Sequence, residues 1–259
     1  GYAYVKPKSS FDEAIFVVSS QRRIQSIDKD FSLVIYDDIN SFPVYRKEEI
    51  EKFINDNYNE NTKYIFYSIE SIIQDKRDII IPARKNKLPI LEPAIITTRI
   101  DITKDMPYII YEYLKWSVES QRKVIIYVPD KDKVISTYSY LKDYCRSLCK
   151  SLYFFIKGET EKKIFDNFMK HKSSIFVSND YGIESCLLKS TDILVFFSDN
   201  ELFNYKMLIH FCAEVEKNNK INRGDVVFLA NTETADMTLA KDKIRNFNKE
   251  AWENGLLKI

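Results

Sequence analysis

Short apolar runs alternate with charged amphipathic stretches along most of the chain, the rhythm of an α/β protein with mainly parallel sheets. In the first third, Ala14–Val18, Leu33–Tyr36, Tyr64–Tyr67 and Ile79–Ile81 are unbroken β-branched or aromatic runs, as in strands buried on both faces. A charged helical period fills Lys47–Asn55 between two of them. From Ile81 to Ile96 the rhythm stops. Three of the seven prolines fall in this stretch, and each removes a backbone donor and pushes its predecessor toward extended geometry. The stretch reads as an extended connector, and it divides the chain into 1–95 and 96–259.

The second part restarts the alternation. Helices are expected at Met106–Gln121, Asp132–Leu148, Thr160–Lys170, Asn204–Glu216 and Thr238–Gly255. Strands are expected at Lys123–Val128, Leu152–Ile156, Ser174–Val177, Asp192–Phe197 and Asp225–Leu229. At 259 residues, two domains fit the usual size of roughly 100–200 residues each. No apolar run is long enough to span a bilayer and no charged-then-apolar leader opens the chain, so a cytoplasmic location is expected.

Composition excludes more than it suggests. Lys+Arg at 39 against Asp+Glu at 38 gives a net charge of +1, without the basic excess of many nucleic-acid domains. Four cysteines and two histidines lack the spacing of a tetrahedral metal site, so no metal is assigned to them. No nucleophile elbow, HExxH or GxGxxG pattern is present.

The most informative stretch runs from Phe31 to Pro43, where four apolar residues lead straight into Asp37 and Asp38. A buried strand that delivers an acid to its carboxyl end is the Walker B layout, which holds Mg²⁺ on a nucleotide. Turn and cap roles suit two such carboxylates equally well on this feature alone. The stretch resembles the Walker B segment of the ComFA family of late competence proteins, superfamily 2 helicase relatives, over thirteen positions that include Ser41-Phe42-Pro43. Val17–Gln21, Ile81–Arg84, Leu88–Ile90, Tyr127–Pro129, Lys162–Val177, Gly224–Val226 and Asn248–Leu257 are similar to further segments of that family, in the same order.

The resemblance implies two RecA-like lobes with mainly parallel sheets, the first truncated because no P-loop strand is present. It implies a helicase-like DNA translocase of bacterial DNA uptake in which Asp37 and Asp38 are catalytic and Ser68 and Glu70 stand in the coupling motif. Gln21, Arg22, Arg84 and Lys87 are the candidate DNA contacts, although each basic cluster also suits a solvated face. Single-stranded DNA and a phosphoribosyltransferase-type competence protein are the implied partners. An open strand edge in a truncated lobe further suggests a homo-oligomer or an early-unfolding first lobe.

Several motifs fail. No GxxxxGK[ST] P-loop occurs anywhere in the chain, and Gly158, the first glycine after Gly1, is followed by Glu159-Thr160-Glu161. ATP and Mg²⁺ are therefore expected only if a P-loop lies upstream. The arginine-finger positions carry Glu214 and Lys217. Glutamate there inverts the charge needed on a γ-phosphate, and lysine lacks the planar fork; the same residues also fit solvated charges at a helix end. The chain alone is expected not to turn over ATP. The alternative function is a non-catalytic pseudo-helicase scaffold for a protein partner.

Overall fold

The computed structural model describes residues 2–4, 16–18, 31–37, 46–56, 58–72, 78–145, 151–161, 163–182, 190–215 and 224–258. They fall into two compact units, Gly1–Asp78 and Ile79–Ile259, so the proline-rich stretch belongs with the second.

In the first unit, β1 (Tyr2–Tyr4) and β2 (Phe16–Val18) form one parallel pair. β3 (Leu33–Asp37) and β4 (Lys63–Tyr67) form another, joined through helix α1 (Lys47–Asp56). Side chains alternate across a strand, so Tyr36 and Phe66 point to the face where Ile50, Phe53, Ile54 and Ile72 gather. Tyr36 lies with its ring centroid 6.4 Å from Phe53 and 6.2 Å from Phe66. At the start of α1 the Glu49 carboxylate accepts the Arg46 amide at 2.8 Å, which satisfies a donor that the helix itself leaves open.

The second unit is one six-stranded parallel sheet. Its strands are β5 (Ala94–Thr97), β6 (Lys123–Tyr127), β7 (Leu152–Phe155), β8 (Ser174–Ser178), β9 (Thr191–Phe196) and β10 (Val226–Ala230), in the spatial order β5-β10-β9-β6-β8-β7. Helices α2 (Tyr108–Glu119) and α3 (Lys131–Tyr144) cover one face, packing Ile110, Leu114, Val134 and Leu141 onto Val124, Ile126, Ile175, Val177, Leu194 and Leu229. Alternate residues of the same strands point the other way. There Phe176 meets Phe165 and Phe168 of α4 (Lys163–Lys170), and Tyr127 stacks at 4.7 Å on Phe211 of α5 (Tyr205–Glu214). The last helix, α6 (Ala235–Glu253), packs against α5.

The α/β reading with parallel sheets holds, and most elements lie where the pattern put them. Two do not. Ile79–Ile81 is no strand: this β-branched run is exposed and pairs with no strand among the described residues. The sequence reading also missed β5, which the prolines disguised as connector: it starts directly after Pro93 and pairs with β10. No helix among the described residues is long and apolar enough to cross a membrane.

Candidate functional site

Parallel strands place their carboxyl ends at one edge, and β3 and β4 do this for the acids of the first unit. Asp37 is the last residue of β3 and stands opposite Tyr67, the last of β4. Ser68 follows at once, with Glu70 two residues further on. Asp37, Ser68 and Glu70 are all half-buried. A carboxylate, a hydroxyl and a second carboxylate thus leave the same edge of one two-stranded sheet. Asp38, Gln21, Arg22 and Lys217 lie outside the described residues.

The other predicted residues belong to the second unit, and each is described there alone. Glu214 closes α5 and is 8% exposed, so it is not a solvated charge at a helix end. The Arg84 guanidinium donates to four carbonyl oxygens: Leu88 at 3.2 Å, Ala213 at 3.4 Å, Val215 at 2.9 Å, and Pro89. The Ala213 and Val215 carbonyls flank Glu214 at the helix terminus, where carbonyls lack intrahelical donors and the dipole favours a cation. Lys87 is exposed and its backbone has φ +60, the left-handed region. Its amide donates to the Arg84 carbonyl at 2.9 Å and its own carbonyl accepts from the Lys258 amide at 2.8 Å.

The carboxyl edge of the six-stranded sheet is held by its own polar groups. The Asp199 carboxylate accepts the amides of Asn231 at 3.1 Å and Thr232 at 3.2 Å. The Asn231 side chain donates to the Thr98 and Ile100 carbonyls at 2.8 Å. Lys131 meets Glu159 at 2.8 Å and Lys157 lies 3.7 Å from Asp180, so two cations of this rim already face carboxylates. Tyr181 donates to the carbonyls of Val128 and Pro129, and burial pushes its phenol well above the usual range.

At the opposite, amino edge the sequence reading missed a buried ion pair. Arg122 grips Asp192 with two nitrogens, at 2.8 Å from Nε and closely from Nη2; Ser117 Oγ donates to the same carboxylate at 3.0 Å and the Asp225 amide at 2.9 Å. Asp192 is fully buried and Arg122 nearly so. Partial burial and the nearby Asp192 raise the Asp225 carboxyl above its usual range. The signal was legible: an aspartate inside the run Thr191–Phe197 needs a cation. Its place at the amino ends makes it a fastening of β6, β9, β10 and α2, away from the edge where ligands of parallel sheets sit. Among the described residues no group of three or more His, Cys, Asp or Glu could hold a metal ion.

No protein-family model matches the chain, and no curated protein matches its sequence. Solved structures do resemble it in shape. Dbp5 of S. cerevisiae, bound to RNA and ADP BeF3, aligns at 11% identity and a TM-score of 0.49, over 98% of this chain and 72% of that one. The Mycobacterium smegmatis helicase Lhr, bound to ssDNA and AMP-PNP, aligns at 6% identity and a TM-score of 0.49, over 95% of this chain and 37% of that one. T4 UvsW aligns at 13% identity and a TM-score of 0.33, over 97% of this chain and 60% of that one. At these values the likeness carries no argument about activity.

Proposed function

We propose that the chain is a helicase-like, single-strand DNA-translocating component of bacterial DNA uptake that does not hydrolyse ATP as this polypeptide alone. One observation carries the reading: adjacent parallel strands deliver Asp37 and the Ser68–Glu70 segment to the same sheet edge, as a Walker B acid and a coupling motif require. The residues fit a nucleotide only in part. The acid edge suits Mg²⁺, but the sequence has no glycine-rich loop with a lysine to cradle β- and γ-phosphates. No hydrolytic step is therefore assigned to this chain, and ATP and Mg²⁺ belong to it only together with a P-loop supplied from elsewhere.

A second reading rests on α5. The resemblance reserves position 214 for an arginine finger, and the chain has a buried glutamate there. Buried within the second unit, that carboxylate supports a non-catalytic scaffold that keeps the lobes to hold a protein partner, by resemblance one of phosphoribosyltransferase type. In both readings the protein works in the cytoplasm.

Binding of a fluorescent single-stranded oligonucleotide across a series of salt concentrations tests the DNA reading. Contacts to phosphate by Arg22 and Lys87 make binding sequence-blind, and Arg22→Ala and Lys87→Ala each lower the salt slope by about 0.7. Absence of binding at low salt rejects the DNA reading and leaves the scaffold. Tight binding that both variants leave untouched removes these two residues from the interface.

A further inference from the structure

Residues 78–81 and 82–92 are neighbours in sequence and opposites in how their backbone is held. Ile79, Ile80 and Ile81 are 77%, 61% and 78% exposed, lie in no helix or strand, and make no hydrogen bond with the described residues. From Pro82, which is buried, the chain is fastened one group at a time. Arg84 gathers the carbonyls of Leu88, Pro89, Ala213 and Val215. The Asn86 side chain accepts the Leu88 amide at 3.1 Å. Asn248 of α6 takes both polar groups of Ile90, accepting its amide and donating to its carbonyl, each at 2.8 Å. Arg245 meets Glu92 at 2.9 Å, and the Lys87 carbonyl accepts from Lys258. Buried Pro93 then leads into β5.

The physical cause lies in the prolines. A segment that holds Pro82 and Pro89 and runs up to Pro93 does not build a regular ladder, yet its partly buried carbonyls still need donors. From outside the segment the Asn248 side chain supplies one to Ile90 and the Lys258 amide one to Lys87. Within it, Arg84 supplies a fork that reaches two directions at once: back onto its own segment and across to the end of α5. A guanidinium is suited to this because its several donors are fixed in one plane.

We propose that residues 82–92 form a strap, clasped by Arg84 and Asn248, which ties the start of the second unit to the end of α5 and to α6. Arg84 is then a positioning residue for the last turn of α5, the turn that carries Glu214, and not a phosphate ligand. This inference uses contacts within the second unit and stands apart from the DNA reading.

Hydrogen exchange read by mass spectrometry on the full chain tests it. In the wild type, amides 79–81 exchange freely while Lys87, Leu88 and Ile90 are protected. Arg84→Ala, which removes several bonds to a charged donor, speeds exchange by about tenfold or more across 86–90 and 213–215 and leaves β6, β8 and β9 unchanged. Arg84→Lys keeps the charge but not the fork and behaves like the alanine variant. Asn248→Ala loosens Ile90 while residues 213–215 stay protected, which keeps the test open should Arg84→Ala fail to fold. Wild-type exchange at 86–90 as fast as at 79–81 overturns the strap. Unchanged exchange in Arg84→Ala, combined with a salt slope for oligonucleotide binding lowered by about 0.7, overturns the clasp and makes Arg84 a phosphate contact.

Discussion

The two compact units differ in how completely their sheets are sealed. In the second, every residue of β8, β9 and β10 is buried and helices lie on both faces. In the first, α1 covers one face of the β3–β4 pair, while Leu33, Ile35, Ile65 and Tyr67 on the other remain 45%, 51%, 44% and 54% exposed among the described residues. Parallel sheets are ordinarily covered on both sides. The contrast teaches that the better-sealed sheet is not the one that carries Asp37, Ser68 and Glu70, the residues of the proposed acid edge.

The strongest way to break this comparison is to weaken the second unit. Asp192→Ala leaves Arg122 buried without its carboxylate, a defect of about 3–5 kcal/mol. Thermal unfolding followed by hydrogen exchange should show the loss in β6, β9 and β10, with the protection of α1 unchanged. Loss spread evenly over both units would mean that they unfold as one, and the comparison fails.

A smaller effect is expected from the first unit. Ile50→Ala opens a cavity in a cluster of few residues and costs about 2–3 kcal/mol, the low end for a buried isoleucine because such a cluster can partly collapse. It should abolish protection of β3 and β4 while the six-stranded sheet keeps its own. Limited proteolysis sharpens the same point without a mutation. Early cuts should fall at or before Asp78–Ile81 and leave a resistant fragment beginning near Pro82. A first unit as resistant as the second in a strict monomer would show that it is sealed after all.

The smallest effect is electrostatic. In the folded chain the Asp225 carboxyl titrates above its ordinary value, first because it is partly buried and then because Asp192 is near. A raised acid is at no disadvantage below its unfolded value and loses stability as pH rises through the folded one. Asp225→Asn should therefore raise the melting temperature of the second unit slightly at neutral pH. The gain should vanish on acidification below the ordinary carboxylate value near about 3.9. A gain that persists there would assign the effect to packing.

How much of this was legible depended on whether a residue's role is local. The runs at Lys123–Tyr127 and Thr191–Phe196 announce strands because burial on both faces selects unbroken apolar sequence. The edge carrying Asp37 was readable for the same reason, since an acid straight after Leu33–Tyr36 must leave the sheet at its carboxyl end. Ile79–Ile81 and Ala94–Thr97 look alike as strings of β-branched residues, and only the presence of β10 beside the second decides which becomes a strand. The surroundings of Arg84 were hidden for a related reason. A basic residue among lysines suggests phosphate, but its partners Ala213 and Val215 are more than a hundred positions away and are backbone carbonyls, which no side-chain pattern reveals. Glu214 was found by position along a motif, while its burial follows from the packing of α5.

The central claim is that the chain keeps the acid edge of a motor without the means to turn over nucleotide. The direct test is phosphate release from Mg²⁺-ATP by the purified chain, with and without single-stranded DNA. The account predicts release indistinguishable from a no-protein blank in both conditions. Release that DNA stimulates and that Asp38→Asn abolishes would contradict it.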